Sequence, residues 1–135
     1  SERGFLVTQQ ACPMWVPIVE NNEMNSPGAV FFVQKYIDMI LQVDPQIDTL
    51  VLACTHYPLL RSVIDLFIPK EITIIQQGEI VARSLRDYLY RHPEMERELS
   101  RGGQIEFLTT EKDGMFDKMA ALFMQADVTS RHVEL

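Results

Sequence analysis

The chain has 135 residues, a formal net charge of -7, and 47% hydrophobic against 23% charged residues. That length can enclose one core, and that balance excludes a disordered chain. An acidic surface repels phosphate backbones and anionic lipid, so nucleic acid and membrane are not expected partners. No apolar run approaches the roughly 20 residues needed to span a bilayer.

The opening Ser1-Glu2-Arg3-Gly4 leads into only a short apolar stretch and does not read as a signal peptide. A start at Ser1 fits a fragment, a processed product or a recombinant piece equally well. Two cysteines, Cys12 and Cys54, are too few for a disulfide framework, and a reduced, cytoplasmic location is expected.

Phe5-Leu6-Val7-Thr8 reads as a short buried strand. After a loop rich in Asn and Glu, Ser26-Pro27 offers an N-cap followed by proline at the first helical position. A helix is predicted from Ala29 to Val43, with Phe32, Tyr36, Ile37, Ile40 and Leu41 at helical spacing. Asp44-Pro45 ends it. Thr49-Leu50-Val51-Leu52-Ala53 is almost wholly apolar, as strands buried in a parallel sheet are.

Pro58 opens a predicted helix whose Leu59, Leu60, Val63, Ile64 and Phe67 share a face. Ile72 to Ile75 is a third strand, and Glu79 to Tyr90 a helix carrying Ile80, Val81, Leu85 and Tyr88. The polar stretch His92 to Gly103 is a boundary or surface excursion, helical in part. Ile105 to Thr109 is a fourth strand and Phe116 to Met124 an amphipathic helix. The tail from Gln125 to Leu135 reads as polar and mobile.

Strands alternating with helices define an α/β fold with a doubly wound parallel sheet. Ligands bind such sheets beyond the carboxyl ends of the strands. Attention therefore falls on the loops Gln9 to Pro17, Cys54 to Pro58, Gln76 to Gly78 and Thr110 to Gly114.

Cys54 stands where a strand hands over to a helix. Free N–H groups at a helix start favour an anion, a thiolate included. His56 stands two residues on and can exchange a proton with the thiol, while Thr55 adds a hydroxyl for a ligand carboxylate. The plainer alternative is a cysteine serving as a small buried hydrophobe and a histidine serving as a cap. Cys12 reads as a core thiol or a supporting residue. Glu20 ends the apolar run Trp15 to Val19 and faces either a pocket or solvent. No metal site is expected, because paired-ligand spacing is absent. The sequence also has no phosphate loop, dinucleotide fingerprint or serine elbow. The stripe Met115, Met119, Leu122, Phe123 reads as packing.

The run Leu50-Val51-Leu52-Ala53-Cys54-Thr55-His56-Tyr57-Pro58-Leu59-Leu60 resembles the second catalytic-cysteine signature of glutamate racemases. Ala11-Cys12-Pro13-Met14-Trp15-Val16-Pro17-Ile18-Val19-Glu20 resembles that family's segment ending in an acidic residue near the active site. Gln77-Gly78-Glu79-Ile80-Val81-Ala82 and Phe107-Leu108-Thr109-Thr110 resemble further landmarks in the same order. Ala53 replaces a common glycine, and an aspartate frequent near Gln76 or Gln77 is missing.

The resemblance implies the C-terminal half of a two-domain, pseudo-symmetric racemase with one catalytic cysteine from each half. Residues 1 to 78 would be part of the second catalytic domain. Residues 79 to 126 would pack back on the missing first domain; the resemblance does not reach 127 to 135, which read as a polar tail from composition alone. The implied reaction interconverts L- and D-glutamate by a two-cysteine, two-base route without cofactor or metal. Cys54 and His56 would be catalytic, Glu20 would aid proton handling or ammonium binding, and Thr55 would bind substrate. The implied partners are glutamate, the missing N-terminal half and further copies in a homo-oligomer. Rival readings are an aspartate racemase of the same superfamily, or a module without turnover.

Overall fold

In the computed structural model, residues 4–112 and 114–135 are described. The opening Ser1-Glu2-Arg3, read above for a signal peptide, lies outside them, as does position 113 in the loop 110–114. The chain divides into two compact units, Ser1–Ala82 and Arg83–Leu135.

In the first unit the longest helix starts where the capping residues predict. The Ser26 hydroxyl accepts a hydrogen bond from the Ala29 N–H at 3.1 Å, and Pro27 takes the first helical position. This helix, Pro27–Val43, is α2, and Trp15–Glu20 before it is α1. The buried face of α2 is Ala29, Val33, Tyr36, Ile37 and Ile40. It is rotated slightly from the expected stripe, leaving Phe32 and Leu41 half-buried at its margins.

α1 corrects the expected loop from Gln9 to Pro17. Trp15, Ile18 and Val19 bury one side of it, a helical spacing that Pro17 within it and Pro13 before it disguise. Pro17 is tolerated because first-turn N–H groups have no partner inside the helix.

β1, Thr49–Leu52, pairs in parallel with β2, Thr73–Gln76, in the register Thr49↔Thr73 to Leu52↔Gln76. The handover after β1 is a 3-10 turn, Tyr57–Leu60, followed by a single α-helical turn, α3, Arg61–Ile64. The predicted helix is thus tighter and shorter than its apolar spacing implied, and Phe67 lies beyond its end. Leu52, Leu60, Val63 and Ile64 join α1 and α2 in the core.

The strand expected at Phe5 to Thr8 does not form. Phe5, Leu6 and Val7 are 88%, 89% and 82% exposed. Apolar character suffices to predict a strand, but a strand persists only beside a neighbour that takes up its backbone groups.

α4, Gln77–Arg91, spans the division between units; α5, Pro93–Glu98, occupies the polar stretch. In the second unit β3, Phe107–Thr109, pairs in parallel with β4, Ser130–His132, across α6, Met115–Met124. The polar tail is therefore not simply loose, since its centre is a strand. The Ser130 N–H donates to the Asp117 carboxylate at 3.0 Å, which ties β4 to α6. Tail polarity concealed this strand, none of whose three residues is fully buried.

The α/β architecture with parallel strands agrees with the sequence reading, although pairing is divided between two two-stranded sheets. Among the described residues no helix is long and apolar enough to cross a membrane.

Candidate active site

Parallel pairing of β1 with β2 sends both carboxyl ends the same way. Cys54 emerges just past Leu52, whose register partner Gln76 leads directly into α4. The chain then turns sharply. The Tyr57 N–H donates to the Cys54 carbonyl at 3.2 Å, and the Leu59 N–H to the His56 carbonyl at 3.1 Å.

This turn folds the His56 ring back over the cysteine. Cys54 Sγ lies 3.8 Å from His56 Nδ1, and Thr55 Oγ1 lies 3.4 Å from the same nitrogen. On the far side of the ring, His56 Nε2 is 3.3 Å from Glu20 Oε1. In the tautomer that donates Nε2–H to this carboxylate, the Nδ1 lone pair faces the thiol. Thiol, imidazole and carboxylate thus stand in line. Cys54 and His56 are half-buried and Glu20 is exposed, so the line runs from the protein surface inward.

The four sequence-predicted site residues, Glu20, Cys54, Thr55 and His56, come together. The sharpest change concerns Glu20, for which both a pocket-facing and a solvated role were open. α1 carries it to His56. The helix start behind Cys54 is correspondingly weaker as an anion site than expected, because a 3-10 turn and one α-helical turn align few peptide dipoles.

Two aromatic residues hold this geometry, and sequence reasoning missed both roles. Trp15 on α1 meets Tyr57 edge-on, with ring centroids 4.7 Å apart. Its indole N–H donates to the Phe32 carbonyl at 3.3 Å. The Trp15–Tyr57 contact therefore joins the helix that bears Glu20 to the turn that bears Cys54 and His56. Tyr57 also hydrogen-bonds with Cys12, and burial raises its phenol above the ordinary range. The visible signal was Tyr57 itself, inside the cysteine motif.

Cys12 is 8% exposed, and burial pushes its thiol up to about 11 against a lowering contribution from Tyr57. At pH 7.5 its thiolate fraction is about 3 in 10,000. In the native chain a charged disulfide reagent should modify Cys54 quickly and Cys12 only on unfolding; equal rates at both thiols would contradict this. The same burial sets an alkaline limit. The unfolded chain releases the Cys12 proton first, so stability is intact below pH 9.0 and falls as pH rises toward about 11. The loss is about 2–3 kcal/mol, and Cys12→Ala should flatten it in urea titrations run across that window.

The fold and the site together define a parallel α/β unit with a thiol, an imidazole and a carboxylate in line beyond the end of a strand. No family model matches the sequence. The chain is 32% identical over 133 residues to glutamate racemase 1 of Caldanaerobacter subterraneus, covering 98% of this chain and 47% of the relative. It is 34% identical over 130 residues to the glutamate racemase of Streptococcus uberis, covering 96% and 48%. The crystal structure of a Bacillus anthracis glutamate racemase isoform superposes with a TM-score of 0.80 at 27% identity, covering 99% of this chain and 49% of that one. The racemase of Thermus thermophilus in complex with β-chloro-D-alanine superposes with a TM-score of 0.76 at 26% identity, covering 93% and 47%.

The chain belongs to the glutamate racemase family. It spans about half the length of these curated relatives.

Proposed function

We propose that this chain supplies one face of a glutamate racemase active site and that a second half supplies the other. The carrying observation is the line Cys54, His56, Glu20 beyond a parallel strand. In this reading Cys54 thiolate takes the α-proton of one glutamate enantiomer and becomes the thiol. A thiol on the opposite face then delivers its proton to the carbanion. In the reverse direction Cys54 thiol is the donor. His56 Nδ1 exchanges the proton with Sγ between turnovers, and Glu20 holds the ring in the orientation that makes this possible. Thr55 Oγ1 binds the substrate carboxylate.

No cofactor enters this scheme. Its energetic burden is the weak acidity of the α-proton, which falls on fixed donors around the developing negative charge. The product role that fits is supply of D-glutamate for peptidoglycan and so for cell shape. Two free thiols, Cys12 and Cys54, suit the reducing cytoplasm.

α4 supports a missing half, since Ile80, Leu85 and Tyr88 on it are 52%, 56% and 41% exposed. Such a stripe is what a segment returning to pack on another domain requires. Alone, the chain has one opposed base too few and is expected to be inactive. Circular dichroism of the chain assembled with a complementary half, given L-glutamate, tests the reading. Loss of optical activity supports it. A constant signal with aspartate turned over instead would assign the site to an aspartate racemase, and turnover by the chain alone would sink the two-half scheme.

A further inference from the structure

Racemisation needs two opposed bases, but the line Cys54, His56, Glu20 is complete in itself for a different reaction. Nucleophilic acyl transfer needs a thiol, a base within its reach and a group that orients the base, all on one side of the substrate. Cys54 Sγ stands 3.8 Å from His56 Nδ1, and His56 Nε2 stands 3.3 Å from Glu20 Oε1. The order is nucleophile, general base, orienting carboxylate.

Two further features suit attack on a carbonyl. Cys54 follows β1 and precedes a sharp turn, and it is half-buried between the exposed Ala53 and Thr55, which leaves its sulfur open to a small ester. Among the described residues the Thr55 N–H makes no backbone hydrogen bond. A free N–H on the residue after the nucleophile is one of the donors that hold the anion of a tetrahedral acyl intermediate.

We propose that this site also hydrolyses small acyl esters, with Cys54 as nucleophile, His56 as base and acid, and Glu20 as the group that holds the ring. The Cys54 thiol gives its proton to His56 Nδ1 as sulfur attacks the ester carbonyl. A C–S bond forms, the ester C–O bond breaks, and the imidazolium returns the proton to the departing alcohol. Water then attacks the thioester and gives a proton to Nδ1. The C–S bond breaks, the carboxylic acid leaves, and the proton goes back to sulfur. Ester and water become acid and alcohol, with nothing oxidised or reduced. This goes beyond the racemase reading, since it uses the same three side chains and no second half.

The test gives p-nitrophenyl acetate to the purified chain and follows release of p-nitrophenol. A burst equal to the chain concentration should come first, then steady turnover. Cys12→Ser should behave alike, with Cys54 as its single thiol. Cys54→Ser should lose the burst, and its steady rate should fall about 100-fold or more. Glu20→Gln should keep the burst amplitude and slow the steady phase about tenfold, a split that a merely structural role would not give. Far-UV circular dichroism shows whether each variant is folded. Release that stops after the burst would overturn the proposal, because it shows a reactive thiol without a hydrolytic cycle. Steady release unchanged in Cys54→Ser would overturn it too, since the activity would then lie elsewhere on the surface. Either failure leaves the racemase reading standing, because racemisation needs no acyl-enzyme. An assembled enzyme that fails to racemise glutamate would in turn leave ester hydrolysis by the chain standing.

Discussion

In the assembled racemase, Cys54→Ser is expected to lower the rate of glutamate racemisation by about 1,000-fold or more, with substrate affinity changed only a few-fold. The substitution keeps a hydrogen-bonding group close to His56 Nδ1, now 3.8 Å from the sulfur. It removes the acidity. A serine hydroxyl supplies almost no anion at neutral pH, and a neighbouring imidazole does not make up the difference for an acid as weak as an α-carbon. Thr55 and the turn remain to hold the carboxylate, which is why affinity should persist. Cys12→Ser is the matched control. It changes a thiol that is buried and protonated, so its cost should appear in stability rather than rate. Circular dichroism time courses give both rate and KM. Near-wild-type racemisation by Cys54→Ser would end the case for Cys54 as a base, whatever family the chain belongs to.

The site was more legible than the fold that supports it. Cys54, Thr55 and His56 are neighbours in sequence, so any sharp turn brings them together. The apolar run before Cys54 already placed that turn at a strand end. Glu20 was legible only through resemblance, because its approach to His56 depends on α1, and Pro13 and Pro17 obscure the helical spacing of Trp15, Ile18 and Val19. Phe5–Thr8 shows the opposite failure. Its residues have the right character for a strand, but pairing is a property of two segments, and no strand among the described residues pairs with it. The strand Ser130–His132 was missed for a related reason, since its three polar residues are recruited by β3 and by Asp117 rather than by any pattern of their own. Local chemistry is readable when the groups adjoin in sequence; pairing and packing are readable only when both partners are in view.

Trp15→Ala should be the most damaging single change to the first unit, costing about 3–5 kcal/mol. Trp15 is 2% exposed and the only tryptophan in the chain. Its ring meets Tyr57 at 4.7 Å and Tyr36 at 6.2 Å, both edge-on, so one side chain links α1, α2 and the cysteine turn. Alanine leaves a cavity among three elements that cannot all close on it, and leaves the Phe32 carbonyl without the indole donor. A unit of this size has a total stability of about 4–12 kcal/mol, so the loss removes a large part of it. Trp15→Phe separates the contributions, because it keeps an aromatic contact and loses the donor, and should cost about 1–2 kcal/mol. Urea unfolding followed by far-UV circular dichroism gives both values without the missing fluorophore. The site should respond as well. With α1 released from Tyr57, Glu20 no longer holds the His56 ring, and the reaction of Cys54 with a thiol reagent should lose its dependence on His56. A cost below about 1 kcal/mol for Trp15→Ala, with Cys54 reacting as before, would show that the helix and the turn are held together by other contacts.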